Sequence, residues 1–69
     1  MKSILIIDDD SLIRKTLSSH LSRQGFEVQL AESGDEGIEK FKESSPELVL
    51  LDVRLPDADG LEVLRRIKE

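Results

Sequence analysis

Cysteine is absent from this 69-residue chain, so disulfide staples and thiolate metal centres are excluded, and the usage fits a reducing compartment. Histidine occurs once, at His20, and one imidazole without partners makes no metal site, so it reads as an ordinary surface residue. Long apolar runs are also missing. Met1-Lys2-Ser3 precedes only four apolar residues, far short of a signal-peptide core or a membrane span, and a cytoplasmic location with no membrane partner is expected. Basic residues are outnumbered by acidic ones, 10 to 15, for a net charge of −5. That balance argues against direct binding to nucleic acid or to an anionic membrane. No low-complexity stretch or linker divides the chain, which holds one domain and buries only about 60% of its unfolded surface.

What the chain does have is aspartate closing two aliphatic runs, Ile4-Leu5-Ile6-Ile7-Asp8-Asp9-Asp10 and Leu48-Val49-Leu50-Leu51-Asp52. Four-residue aliphatic runs flanked by helical patterns read as strands buried on both faces of a parallel sheet. Both then point the same way, and their aspartates fall at the carboxyl-end crevice where open α/β sheets bind ligands. Like charges gathered there call for a divalent cation or shifted proton affinities. The pattern suggests an acidic pocket of the magnesium type.

Between the runs, Ile13, Leu17 and Leu21 form the stripe of an amphipathic helix over 11–24, with Leu12 beside it and Gly25 as a left-handed terminator. A second strand is expected over 26–31, with a more polar face. Ser33-Gly34-Asp35-Glu36 reads as a capping box opening a helix with Ile38 and Phe41 inward. Gly37 weakens that helix unless close packing on the sheet needs the missing side chain. Ser44-Ser45-Pro46 ends it. After Asp52 the segment 53–60 is a loop. Asp59 caps a last helix, with Glu62 completing another box and Leu61, Leu64 and Ile67 as its inward stripe. Val63, Arg65, Arg66 and Lys68 would flank that stripe.

The order is β-α-β-α-β-α. Right-handed crossovers favour a parallel strand order of 2-1-3, with the first helix on one face and the other two opposite. The third strand is then an apolar edge, a template for pairing with another chain, and one sheet face has a single helix. The expectation is half of a larger domain, either truncated or completed by self-association.

The two aspartate-terminated runs, together with Val53-Arg54-Leu55-Pro56-Asp57-Ala58-Asp59-Gly60, the Gly25-Phe26-Glu27-Val28 turn and the Ser33-to-Gly37 helix start, closely resemble the receiver domain of bacterial two-component response regulators. The Arg54 variant of the loop looks most like receivers of enhancer-binding, nitrogen-regulation-type activators. The resemblance implies a flavodoxin-like α/β fold and a phosphoacceptor signalling module, not an enzyme. It makes Asp52 the phosphoacceptor, a sensor histidine kinase the partner, and Mg²⁺ the cofactor. Asp8, Asp9, Asp52 and the backbone carbonyl of Arg54 would hold the metal, while Pro56 and Gly60 shape the loop. The family also places a Ser or Thr after its fourth strand and a Lys after its fifth. Neither lies within these 69 residues, so the expectation over 1–69 is a truncated receiver, impaired in signalling and homodimeric through 48–51 and the uncovered sheet face.

Blander roles stand beside these. Alone, Asp8-Asp9-Asp10 could be only a helix-start cluster; Asp10 is assigned to capping, Asp57 to a solvated turn and the 65–68 cations to a solvated helix end. Haloacid-dehalogenase-type phosphatases also carry an Asp-x-Asp after a first strand, but Leu12 stands where they have Thr or Val, and that reading leaves Asp52 unexplained. A third reading is a self-assembling half-domain whose acidic site is vestigial.

Overall fold

A computed structural model describes residues 2–52 and 59–68, with Lys68 described in its backbone only. Six elements follow in the expected order: β1 (Ser3–Ile7), α1 (Ser11–Arg23), β2 (Glu27–Ala31), α2 (Gly34–Ser44), β3 (Leu48–Leu51) and α3 (Gly60–Lys68). The three strands form one parallel sheet in the order β2-β1-β3. This is the flavodoxin-like arrangement.

The centre is β1. Ile4, Leu5, Ile6 and Ile7 are all buried, none more than 3% exposed. Alternate residues of a strand face opposite sides, so Leu5 and Ile7 meet Ala31, Ile38 and Val63 in one cluster, flanked by Phe41, Val49, Leu51 and Ile67. The α2–α3 side is the well-packed side. On the other, α1 has no buried residue, and Ile6, Ile13, Leu17 and Leu50 line an open groove of about 440 Å³ between α1 and β3. Ile13 is 42% exposed there and Leu48, on the edge strand, 51%. The thin cover expected of that face is present.

Helix ends follow the local chemistry. Gly25, at φ 93°, closes α1: its N–H donates to Ser22 O at 3.1 Å and Phe26 N–H to Leu21 O at 3.2 Å, a Schellman pair needing a left-handed residue. Ser33 Oγ accepts the Glu36 N–H at 3.2 Å, while Glu36 Oε1 accepts the N–H of Glu32 at 2.7 Å. The box therefore reaches one residue upstream of the cap. Ser45, itself left-handed at φ 45°, ends α2 before Pro46.

Two expectations on α3 change. Its inward residues are Val63, fully buried, and Ile67, whereas Leu61 is 67% and Leu64 39% exposed. Leu61, Leu64 and Ile67 lie at i, i+3, i+6 and drift around the helix, while Gly60, Val63 and Ile67 at i, i+3, i+7 keep one face. Gly60 at the start of that face is buried as well. Asp59 Oδ1 does cap, accepting from Leu61 N–H at 2.9 Å, but the Glu62 carboxylate takes the Arg65 guanidinium at 2.7 and 2.8 Å.

Gly37 resolves in favour of close packing. A β-carbon there would fall against Ile7 Cδ1 and within 2.8 Å of Ile7 Cγ1. Gly37→Ala is therefore expected to destabilise by about 1 kcal/mol or more, overpacking outweighing the helix-propensity gain. Urea titration checks it, and Ile7→Val, which removes the Cδ1 methyl, should reduce the penalty in the double variant.

Candidate phosphoacceptor and metal site

Strand register builds the site. Ile7 of β1 pairs with Ala31 of β2 and Leu51 of β3, so Asp8 and Asp52 leave adjacent parallel strands at the same level. The ladder continues one step past both strands: Asp8 N–H donates to Ala31 O at 3.0 Å and Asp52 N–H to Ile7 O at 2.9 Å. Neighbouring strands run about 4.8 Å apart, so carboxylates leaving the same rung are close by construction.

Asp8, Asp9 and Asp52 each offer a carboxylate oxygen, and these atoms lie within 4.8 Å of one another. Asp8 and Asp52 are half-buried and Asp9 is exposed. The set brings together all three side chains expected to hold the metal. Hard oxygen donors from three acids on an open rim suit a divalent cation of the Mg²⁺ type, which takes a few carboxylates and keeps waters. The Arg54 carbonyl, with Pro56 and Asp57, lies outside the described residues.

The third consecutive acid does something else. Asp10 Oδ1 accepts the N–H groups of Leu12 at 2.9 Å and Ile13 at 3.3 Å, so it is the N-cap of α1. Asp8 Oδ1 in turn accepts Asp10 N–H at 3.0 Å, fixing the turn between strand and helix. His20 faces away on α1, near Gln24, and takes no part.

Arg14 is a neighbour of the site that no motif announced. Its Nη1 donates to the Asp8 main-chain O at 2.8 Å, and its Nη2 meets Glu32 Oε2 at 3.3 Å. The available signal was faint: a cation one turn into a helix sits near the positive end of the macrodipole, where cations are disfavoured.

Residues 4–69 match the family described as response regulator receiver domain. Among similar proteins, the transcriptional regulatory protein AfsQ1 of Streptomyces coelicolor is 48% identical over 68 residues, covering 99% of this chain and 30% of that protein. The chemotaxis protein CheY of Bacillus subtilis is 43% identical over 67 residues, covering 96% of this chain and 56% of that protein. A crystal structure of the response regulator TrrA from Thermotoga maritima in complex with Mg²⁺-BeF superposes with a TM-score of 0.93 at 41% identity, over 99% of this chain and 59% of that one. TrrA in its complex with the histidine kinase ThkA gives 0.92 at the same identity and coverage. The chain thus spans between about a third and three fifths of these relatives.

The neighbouring acids should respond oppositely to substitution in metal-free protein. Asp10→Ala is expected to cost about 1 kcal/mol through the lost cap, whereas Asp9→Asn should leave stability unchanged or raise it by relieving repulsion. Thermal melts in EDTA separate the two.

Proposed function

This chain belongs to the response regulator receiver family, and from that premise we propose that Asp52 accepts a phosphoryl group from a sensor histidine kinase in a Mg²⁺-dependent transfer. Receiver domains take a phosphoryl group from a histidine kinase, bind Mg²⁺ at the phosphorylation site and act as signalling modules. Among the described residues no helix is long and apolar enough to cross a membrane, and we place the domain in the cytoplasm.

The observation that carries the assignment is the meeting of Asp8, Asp9 and Asp52 within 4.8 Å at the ends of two in-register strands. A phosphatase of the Asp-x-Asp type gives Asp52 no task and pairs two acids from one loop. Here Asp10, the second acid of that motif, is spent on capping α1.

In the proposed transfer an Asp52 carboxylate oxygen bonds to phosphorus as the P–N bond to the kinase histidine breaks. The electron pair leaves on the imidazole nitrogen, which takes up a proton. A carboxylate is a competent nucleophile in such exchanges. Asp8 and Asp9, with the Arg54 carbonyl proposed beside them, would hold Mg²⁺ together with Asp52. When bound, the ion offsets the negative charge shared by carboxylate and phosphoryl oxygens and aligns them. The Asp52 N–H, bonded to Ile7 O, anchors the nucleophile's backbone to the central strand.

Incubation with acetyl phosphate and Mg²⁺ should give a single phosphoryl adduct by intact mass, absent in EDTA and absent from Asp52→Asn. Undiminished labelling of that variant would overturn the assignment; no adduct from folded protein would favour a vestigial, structural site.

We further propose that the 69-residue chain pairs with a second copy along β3. Strand pairing needs only the free N–H and C=O row of an edge strand, and the half-exposed Leu48 and the adjoining groove supply apolar surface. Light scattering after size exclusion should report a dimer, shifted to monomer by Leu48→Lys. A strictly monomeric parent chain would contradict the pairing.

A further inference from the structure

Asp8 is held at three points beyond its covalent neighbours. Its N–H is on Ala31 O, its Oδ1 accepts from Asp10 N–H, and its carbonyl oxygen accepts from Arg14 Nη1 at 2.8 Å. The last of these has a consequence the others lack. The Asp8 carbonyl and the Asp9 nitrogen belong to one planar peptide unit. A hydrogen bond to that oxygen sets the plane joining the two residues, and with it the directions in which both carboxylates leave the backbone.

Arg14 is suited to holding such a plane. Its side chain is only 15% exposed, and its fork has two anchors: the Asp8 carbonyl in the β1–α1 turn and the Glu32 carboxylate after β2. Glu32 is tied in turn to α2, because its own N–H donates to Glu36 Oε1 at 2.7 Å. A short chain of polar contacts therefore runs from the first turn of α2, through Glu32 and Arg14, to the peptide between two of the three clustered acids.

We propose that Arg14 is a positioning residue for the acidic site, aligning Asp8 and Asp9 for the divalent cation by fixing their shared peptide plane. This rests on the assignment of Asp8 and Asp9 as metal-holding residues. Simple electrostatics gives the opposite expectation. A guanidinium near three carboxylates repels an incoming cation, so deleting its charge should tighten Mg²⁺ binding. Positioning requires that the same deletion weaken it. The sign of the change decides between them.

The test is isothermal titration of Mg²⁺ into the metal-free protein, which has no tryptophan or tyrosine to report binding by fluorescence. Arg14→Ala should weaken affinity by about tenfold, as loss of an outer partner of a metal-holding group commonly does. Arg14→Lys keeps the charge but cannot grip both acceptors at once, and should recover the affinity only in part. Amide NMR of the same metal-free samples gives a second readout. The Asp9 cross-peak should shift or broaden in Arg14→Ala while those of Ile4, Leu5 and Ile6 stay in place, showing an intact sheet. Unchanged or tighter Mg²⁺ binding by folded Arg14→Ala, or an unmoved Asp9 amide, would overturn the proposal. If the parent protein bound no Mg²⁺, the metal assignment would fail by itself, and the Asp9 amide would still decide whether Arg14 holds the plane.

Discussion

The structure depends on β1 being buried on both faces and paired on both edges. Among the described residues no other strand is in that position, and both neighbours take their register from it, Ile7 standing level with Ala31 on one side and Leu51 on the other. A slip of one residue would exchange the inward sets Leu5/Ile7 and Ile4/Ile6. It would also move Asp8 off the rung it shares with Asp52. The hydrophobic constraint that orders the sheet is thus the same constraint that assembles the acidic pocket, which is why so small a core can specify a site.

Charge at that pocket is divided by backbone direction. Three consecutive aspartates leave β1, yet Asp10 is turned back onto the amides of α1, and its charge faces the positive end of the helix. Asp8 and Asp9 remain for the pocket, with Asp9 in solvent, where water screens its repulsion with the other two. Arg14 adds a cation beside the cluster, bonded to the Asp8 carbonyl and to Glu32. The pocket keeps its net negative character.

The two sheet faces are unequal. On the α2–α3 side Gly37 lets its helix settle onto Ile7, and Val63 fills the centre of the cluster. On the α1 side the helix packs on β1 and β2 and leaves an open groove beside β3, with Ile13 and Leu48 in contact with water. Asp52, the proposed phosphoacceptor, directly follows β3, a strand at the edge of the sheet. Among the described residues, the neighbouring β1 supplies the only ladder that holds that strand.

Much of this was legible in the residues. Two aliphatic runs ending in aspartate gave parallel strands and their common direction; Ser33, Gly25 and Asp10 marked helix ends; the turn motifs around them carried the family resemblance. These are local signals, because caps, turns and strand burial depend on neighbours a few residues away. Three features were not legible. The phase of α3 depended on which of two overlapping stripes met the sheet, and leucine bulk pointed to Leu61 and Leu64 where the fold buries Gly60 and Val63. Whether Gly37 was a defect or a contact depended on Ile7, thirty residues distant. The grip of Arg14 on the Asp8 peptide joined residues from a turn, a helix and a second strand's end. The sequence by itself determined the elements, their order and the acids at the strand ends; only the tertiary structure decided which helix face is buried and which cation holds the site, because both depend on distances between segments that the chain brings together only when it folds.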